Sequence, residues 1–430
     1  MSYYEKEQRH LLELWNELEE EVVGGSDDEE LREQNIKSGL CFIGKDKNTL
    51  WSKVPVVLSK TKTKGKNVVT QAAGVTTIAK NANTVLDSWK LYFPDSILEK
   101  IVECTNRYIA KMRPRYSRAR DAADTDVVEI KAVLGLLYLA GVQRSSHINL
   151  RDLWMQDGTG VEYFRLTMGL NRFQFILRAL RFDNVNDREF RKQFDKLAPI
   201  REIFDVFVYR CNTNYNVSEL LTIDEMLESF RGSCAFRQYI PNKPAKYGLK
   251  ILAMVDARFF YTHNLKVYVG NQPDGPFKVD NSAAAVVKKL IQPISGTGRN
   301  VTCDNWFTSI PLALELLQKH NLTLVGTLRK NKREIPEFFS AKIKEQRINT
   351  SMFGFTKNMT LASYKPKQNK IVLLLSTMHS ADEIDQETGD ACKPAMLTFY
   401  NSTKGGVDVV GNYSVSRKSS RCLLQYFFRC

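Results

Sequence analysis

The segment LLTIDEMLESFRG at residues 220–232 joins a run of Leu, Ile and Thr to a single aspartate, Asp224. A short run of apolar and β-branched residues that opens onto a turn predicts a buried strand. A second segment, GRNVTCDNWFTS at residues 298–309, repeats the arrangement, because its β-branched run closes at Asp304. The two segments therefore predict two buried strands, each with a carboxylate at its end.

A third aspartate, Asp408, lies in the segment FYNSTKGGVDVVGNY at residues 399–413. Carboxylates at strand ends can converge, and three of them suit a pair of divalent cations because Mg²⁺ prefers oxygen ligands. Phosphoryl transfer is the reaction best served by such a site. For any one of these residues alone, a helix cap or a turn is the better interpretation. The three local sequences together favour the metal site.

Three blocks of the chain resemble the piggyBac transposases and the host proteins derived from them. The blocks are LTIDEMLESFRGSCAFRQYIPNKPAKYGLKI (221–251), the stretch from QPDGPFKVD to NKREIP (272–336) and YNSTKGGVD (400–408). The resemblance runs from about Leu86 to Asp408. It implies an α/β (α+β) fold with an RNase H-like mixed-sheet catalytic core. The order of predicted elements, strands first and then strands alternating with helices, also suits such a sheet.

The resemblance further implies a catalytic DDD triad at Asp224, Asp304 and Asp408, which would hold Mg²⁺ (or Mn²⁺) in a two-metal site. The implied reaction is cut-and-paste DNA transposition at TTAA targets, with double-stranded DNA as the partner. A homodimer and a nuclear location are also expected. A small-molecule substrate and a membrane partner are not.

Charge is distributed unevenly along the 430-residue chain, which has a net charge of +14 and 43% apolar residues. Residues 1–34 hold twelve carboxylates against three cations, so residues 35–430 carry a net charge of +23. A folded region this basic is expected to bind a polyanion, because phosphate contacts release counterions. A membrane surface is the rival partner, but the chain has no run of about 18 apolar residues. Eight scattered cysteines, none in a C-x-x-C pair, predict neither a zinc module nor a disulfide framework.

Composition and periodicity divide the chain into five predicted regions. Apolar residues at three- and four-residue spacing predict helices before the core, and the resemblance gives that region a role in dimerisation and DNA binding. The regions are a disordered, acidic then basic N-terminal part (1–80), a helical domain (81–218), the catalytic core (219–332 with 394–415), an insertion subdomain outside the sheet (333–393) and a truncated C-terminal helical segment (416–430).

Five basic residues are candidate DNA contacts. Arg172 and Arg178 lie on a predicted helix beside phenylalanines, and an ordinary helix with its arginines solvated is the stronger alternative. Arg237, Lys243 and Lys246 follow the first aspartate in FRQYIPNKPAKYG. Phosphate neutralisation and simple solvation are about equally open for these three residues.

Other carboxylates near the predicted strands are weaker candidates for the site. Glu225 and Glu228 could substitute at the first position, although Glu225 should point to the opposite strand face from Asp224. Asp256, in ILAMVDARF, is more typical of a turn.

The C-terminal part departs from the resemblance at Gly411, where the family usually places another aspartate three residues after the third of the triad. Glycine costs about 1 kcal/mol relative to alanine inside a helix, so the helix that carries Asp408 is expected to be disturbed. The chain also ends at Cys430, before the further helices and Cys-rich zinc module of many family members. Weak activity is therefore expected.

Two functions from different classes remain open at this point. The first is a metal-dependent DDD transposase, impaired by its shortened C-terminal part. The alternative is a domesticated, catalytically inactive protein that binds DNA or associates with chromatin.

Overall fold

The structure is a computed structural model that describes residues 40–55, 69–143, 145, 148–241, 243, 246–340 and 347–413. The predicted disorder of residues 1–39 and 56–68, and the C-terminal segment at residues 416–430, lie outside the described residues. Within the described ranges, no helix is long and apolar enough to cross a membrane.

A helical region precedes the main sheet. Its first helix begins at a capping box, in which the Thr84 hydroxyl accepts from the Asp87 amide and the Asp87 carboxylate accepts from the Thr84 amide. The helices of this region are α1 (Val85–Tyr92), α2 (Asp95–Met112), α3 (Val127–Val142), α4 (Leu150–Leu153), α5 (Glu162–Thr167), α6 (Leu170–Ala179), α7 (Arg188–Lys192) and α8 (Arg201–Asn214).

Most strands belong to one mixed sheet with the order β1-β2-β11-β12-β13-β10-β9-β5-β7-β6, and β8 pairs with β7. A separate two-stranded sheet joins β3 to β4. The strands are β1 (Cys41–Ile43), β2 (Leu50–Ser52), β3 (Gly74–Val75), β4 (Tyr215–Asn216), β5 (Leu220–Ser229), β6 (Gln238–Tyr239), β7 (Tyr247–Asp256), β8 (Thr262–Val267), β9 (Asn300–Cys303), β10 (Thr323–Thr327), β11 (Thr350–Phe355), β12 (Thr360–Lys367) and β13 (Lys370–Ser376).

The centre of the sheet confirms the predicted RNase H-like core. Strands β8, β7 and β5 are antiparallel neighbours, and β9 and β10 then continue parallel to β5. A parallel pair needs a crossover connection, and a helix joins β9 to β10. The helices of the core and its extension are α9 (Ala283–Leu290), α10 (Ile310–Lys319), α11 (Glu337–Ser340), α12 (Ala395–Thr403) and α13 (Gly406–Tyr413).

Helices cover both faces of the sheet. On the back face, Leu290 of α9 and Leu316 of α10 pack in one apolar cluster with Ile223 of β5. On the front face, Ala253 of β7 packs with the helical region and with Val407 of α13. Each central strand is therefore covered on two sides, which explains the continuous apolar run ILAMV at residues 251–255 of β7.

The prediction that residues 333–393 lie outside the sheet is wrong. β13 pairs with β10, and β12 and β11 extend the same sheet outward. Leu375 belongs to the back-face cluster, whereas the adjacent Leu374 packs with α12 on the front face. A strand with apolar residues covered on both faces belongs inside a sheet, so this segment enlarges the core.

The prediction of disorder over residues 1–80 is wrong for the part of that range that the structure describes. β1 and β2 form an antiparallel pair, and Ser52 of β2 pairs with Phe355 of β11 at the far edge of the sheet. Trp51 is fully buried, and its Nε1 donates to the Glu334 carbonyl at 2.9 Å. One buried indole supplies enough contact area to anchor a short hairpin that the surrounding charge pattern does not reveal.

Candidate active site

Asp224 and Asp304 lie side by side at the centre of the sheet. β5 and β9 are parallel neighbours, with Ile223 opposite Cys303. Asp224 follows Ile223 in the middle of β5, and not at the strand end that was predicted, whereas Asp304 is the first residue after β9. Adjacent strands are about 4.8 Å apart, so this register places the two aspartates next to each other where β9 ends. Each is partly buried. Their charges interact, since the Asp304 carboxylate raises the pKa of Asp224.

The turn after β9 fixes the orientation of Asp304. Its Oδ1 accepts from the backbone amides of Trp306 at 2.8 Å and Phe307 at 3.3 Å. The Thr308 hydroxyl donates to the Asp304 carbonyl at 2.7 Å. Ser309 then caps α10, which starts immediately beyond this turn. Asp304 is thus a turn residue through its Oδ1, as the alternative interpretation predicted. Its other carboxylate oxygen is left for other ligands.

The third aspartate reaches the same region because α12 is anchored on the two central strands. Thr222 of β5 and Thr302 of β9 lie in one row of the sheet. The Thr222 hydroxyl donates to the Thr403 carbonyl at 2.5 Å, and the Thr302 and Thr403 hydroxyls are 2.8 Å apart. These buried contacts hold the end of α12 over the strands that carry Asp224 and Asp304.

A close approach of helix to strand then orients Asp408. A Cβ added at Gly406, the first residue of α13, would lie 3.3 Å from the Thr222 hydroxyl oxygen, which is a tight contact. Glycine therefore lets α13 start directly against β5. Val407 is fully buried in the front-face cluster, while the neighbouring Asp408 is exposed. The Asp408 carboxylate also raises the pKa of Asp224, so the two side chains interact electrostatically.

Negative charge accumulates at Asp224. Burial is the main cause that raises the pKa of this carboxyl to about 6, and the charges of Asp304 and Asp408 add to it. A hydrogen bond from the Glu225 amide and the charge of Lys243 act in the opposite direction. A site that disfavours its own ionised carboxylate lacks positive charge, which a divalent cation would supply.

The three aspartates fit a hard divalent cation by donor type, since each offers carboxylate oxygens. Among the described residues, no group of three His, Cys, Asp or Glu side chains already has the spacing of a metal site. Asp224 interacts with each of the other two aspartates. These three residues are therefore the ones that could hold a metal, and the charges of Asp304 and Asp408 both act on Asp224.

Two neighbouring residues were missed by the sequence analysis. Lys250 of β7 forms an ion pair with Glu225, and its Nζ lies 4.8 Å from the centroid of the Trp306 ring. This contact couples Glu225, on the opposite strand face from Asp224, to the turn after Asp304. Tyr400 of α12 is also close, because the charges of Asp304 and Asp224 raise its pKa in addition to the effect of burial. The sequence did contain a signal for Lys250, because a lysine inside the apolar strand YGLKILAM indicates a charged side chain with a specific partner.

The two helical arginines differ in their surroundings. Arg172 is partly buried and its guanidinium is engaged within the protein, while its DNA contact stays a prediction. Its Nε and Nη2 each donate to the Glu129 carboxylate at 2.6 Å, and Nη1 and Nη2 also donate to the Ala123 and Asp124 carbonyls at 2.9 Å. A bidentate ion pair of this kind cross-links α3 and α6. Arg178 is exposed.

The basic residues after β5 lie closer to the aspartates. Lys243 donates to the Glu225 carbonyl at 3.2 Å and lowers the pKa of Asp224 by its charge. Arg237 is exposed and donates to the carbonyls of Arg231 and Gly232 at 3.0 and 2.8 Å. Lys246 is exposed. Lys243 is thus the candidate cation that the structure brings to Asp224.

The remaining candidate carboxylates have structural settings. Asp256 is fully buried at the end of β7, where it accepts from the Ser218 amide and hydroxyl and from the amides of Arg258 and Phe259. These bonds are those of a turn residue, as predicted for Asp256. Glu228 is buried within β5.

Gly411 does not disturb its helix, contrary to the prediction. α13 runs continuously from Gly406 to Tyr413, and Gly411 lies inside it in an exposed position. A Cβ added at Gly411 would have no heavy atom within 4 Å. Packing of Val407 and Val410 in the front-face cluster supplies the stability that glycine lowers.

The raised pKa of Asp224 predicts a pH-dependent effect of Asp224→Asn on stability. Because the folded-state pKa of about 6 exceeds the ordinary value of 3.8, ionisation destabilises the metal-free fold progressively as pH rises through this interval. Asparagine stays neutral. The substitution should raise the free energy of unfolding by roughly 1–2 kcal/mol at about pH 7.5 and by almost nothing at about pH 4.

Urea denaturation at the two pH values measures this difference. Asp274→Asn is the control, since the Asp274 side chain is 90% exposed and its partner Lys278 is on the surface. An equal effect of Asp224→Asn at both pH values would contradict the electrostatic account of this site.

Comparison with known proteins agrees with these features. Residues 86–428 match the family model described as Transposase IS4. Human piggyBac transposable element-derived protein 3 is 22% identical over 347 residues, which cover 77% of this chain and 55% of that protein. Human piggyBac transposable element-derived protein 5 is 22% identical over 258 residues, which cover 58% of this chain and 48% of that protein. The chain thus spans about half the length of these curated relatives.

A solved structure is more similar in sequence. The cryo-EM structure of a piggyBac transposase synaptic complex with hairpin DNA superposes with a TM-score of 0.77 and 40% identity. The alignment covers 83% of this chain and 74% of that one. With the family match over most of its length and an RNase H-like core, the chain belongs to the piggyBac-type transposase family.

Proposed function

We propose that this chain is a piggyBac-type DDD transposase-derived protein that cleaves and joins DNA strands in a metal-dependent reaction, cut-and-paste transposition at TTAA. Asp224, Asp304 and Asp408 are the proposed catalytic residues and metal ligands. The observation that carries the proposal is the register of β5 and β9, which sets Asp224 beside Asp304 under the helix that bears Asp408.

The chain's own contribution is to hold these carboxylates in place. Amides of the turn after β9 orient one oxygen of Asp304, and the Glu225 amide donates to Asp224 Oδ1 at 2.7 Å. The anchored end of α12 positions Asp408 through the threonine contacts. When bound, Mg²⁺ or Mn²⁺ in a two-metal site would activate the attacking oxygen and stabilise the leaving oxygen of an in-line displacement.

Double-stranded DNA is the proposed substrate and partner. Residues 35–430 carry a net charge of +23, and the related solved structure is a complex with hairpin DNA. The charge of Lys243 acts on Asp224, which supports a role for this lysine in neutralising a phosphate there. The DNA-contact roles of Arg178, Arg237 and Lys246, a homodimer and a nuclear location stay predictions that accompany this proposal.

The alternative is a domesticated protein that binds DNA or associates with chromatin without cleaving DNA. Gly411 favours it, because the position one turn after Asp408 offers no carboxylate to the site. The fold and the basic surface would persist in such a protein. The two functions differ in whether a cation held by the aspartates supports turnover.

Cleavage of DNA that carries piggyBac-type terminal repeats next to TTAA tests the proposal. We expect weak, Mg²⁺-dependent nicking by the unaltered chain. The rate of cleavage should fall by about 100-fold or more in each of the variants Asp224→Asn, Asp304→Asn and Asp408→Asn. Loss of a residue that only orients a metal ligand already costs about 10- to 100-fold, and loss of the ligand itself should cost more. Denaturing gels with end-labelled DNA measure the rate.

Asp274→Asn is the matched control for these changes, since it removes an exposed carboxylate outside the site. DNA binding measured in parallel separates lost chemistry from lost binding. Cleavage that persists in the three variants would rule out these residues as the catalytic set.

Gly411→Asp distinguishes the impaired enzyme from the inactive protein. Residues three apart share a helix face, so the new carboxylate would lie beside Asp408, and the open space at Gly411 accommodates it. We expect the rate of cleavage to rise about tenfold or more, as for residues that support a metal ligand.

Gly411→Ala controls for helix stability, because it restores about 1 kcal/mol of helix propensity without adding a carboxylate. An equal gain from Ala and Asp would assign the defect to helix stability. No detectable cleavage by any of these chains, with DNA binding retained, would favour the inactive DNA-binding protein.

A further inference from the structure

Two exposed tyrosines form a pair with tilted rings at the edge of the sheet. Tyr239 of β6 and Tyr247 of β7 are directly opposite each other, and their ring centroids are 4.7 Å apart with an interplanar angle of 38°. They are 56% and 45% exposed. Neither hydroxyl has a hydrogen-bond partner among the residues that the structure describes. Two large rings held together in solvent form an open aromatic surface.

The backbone around Tyr247 is fixed by the adjacent strand. A Cβ added at Gly248 would overlap the Glu228 carbonyl oxygen, so glycine is required for the close approach of β7 to β5. The Phe230 amide donates to the Tyr247 carbonyl at 3.1 Å, and the Ile240 amide donates to the Lys246 carbonyl at 2.9 Å. The pair is therefore held by regular strand contacts, and it would be present before any ligand binds.

Positive charge borders the pair. The Arg237 guanidinium lies 5.6 Å from the centroid of the Tyr247 ring. It is held there by bonds from its Nη1 to the carbonyls of Arg231 and Gly232. Lys246, next to Tyr247, is exposed. Aromatic rings bordered by cations match a strand that carries bases and phosphates.

The pair and Asp224 lie on the same face of the sheet. Asp224 is opposite Ala253, and Tyr247 is six residues before Ala253 on the same strand. Because strand side chains alternate, Tyr247 and Ala253 share a face, and they are about 20 Å apart along β7. This separation equals about six nucleotides of a DNA strand at 3.4 Å each, measured in a straight line. Leu249 and Ile251, which lie between Tyr247 and Ala253 on this face, are buried in the front-face cluster, so a strand bound at Asp224 would have to pass around that cover.

We propose that Tyr239 and Tyr247 form a stacking platform for an unpaired nucleobase of the DNA strand on which the aspartates act, with Arg237 and Lys246 beside its phosphates. This inference rests on the proposed function. Every base has a π face, so stacking recognises an unpaired strand without selecting its sequence. A paired base inside a duplex does not expose that face, and the platform therefore discriminates single-stranded from duplex DNA.

The test uses the 430-residue chain and two fluorescent probes, a single-stranded oligonucleotide of about 16 nucleotides and the corresponding duplex. Tyr239→Ala combined with Tyr247→Ala should weaken single-strand binding by about 5- to 150-fold, because stacking on a base contributes about 1–3 kcal/mol. Affinity for the duplex should remain within about twofold, since phosphate contacts supply that binding. Fluorescence anisotropy measures both affinities.

Two controls separate stacking from other causes. Tyr239→Phe combined with Tyr247→Phe keeps the rings and should preserve single-strand affinity. Tyr209→Ala removes a tyrosine that is 62% exposed on α8, away from the pair, and should have no effect. A single strand carrying 2-aminopurine should lose fluorescence on binding to the unaltered chain, through stacking, and not on binding to the alanine variant.

The possible results separate this inference from the function on which it rests. Unchanged single-strand affinity in the alanine variant, or an equal loss in the phenylalanine variant, would overturn the stacking platform and leave duplex binding and cleavage standing. Absence of binding to both probes by the unaltered chain would overturn the proposed function and the platform together.

Discussion

The parallel pairing of β5 with β9 is the constraint on which the rest of the candidate site depends. Its register puts Asp224 next to Asp304. It also pairs Thr222 with Thr302, each two residues before the aspartate of its segment. Those hydroxyls bind Thr403 and so position the helix that follows. A slip of one residue would reverse the faces of β5 and remove both Asp224 and its threonine support together.

The same arrangement has an electrostatic cost. Three carboxylates interact at the central strands of a buried sheet, and burial raises the pKa of Asp224 to about 6. Lys243 offsets part of that cost, while Lys250 is occupied by its ion pair with Glu225. Divalent cations need deprotonated ligands, so below about pH 6 a metal would have to displace a proton from Asp224, and above that pH it would offset the repulsion among the ionised carboxylates. The instability of the empty carboxylate cluster and its proposed affinity for metal thus have one cause.

Local pattern was sufficient to predict the central strands and to place Asp304 at the end of β9, because a β-branched run that closes on a carboxylate is a short-range signal. The prediction that Asp224 ends its strand is wrong, since β5 continues through Ser229 in its pairing with β7. Local pattern was not sufficient where the deciding partner is distant in the chain. Trp51 anchors a hairpin through Glu334, and Arg172 binds Glu129 across two helices. The helix through Gly411 was predicted to be disturbed from helix propensity alone. The prediction failed because propensity does not include the packing of Val407.

The account's central claim is that three aspartates from separate segments share divalent cations. Anomalous scattering from crystals of the chain grown with Mn²⁺ tests it most directly, because it locates the metal independently of activity. The account predicts manganese bound by Asp224 and Asp304, with a carboxylate oxygen of Asp408 in the same cluster at about 2.2 Å from a metal. Manganese bound elsewhere, or an Asp408 side chain directed away from the metal, would contradict it.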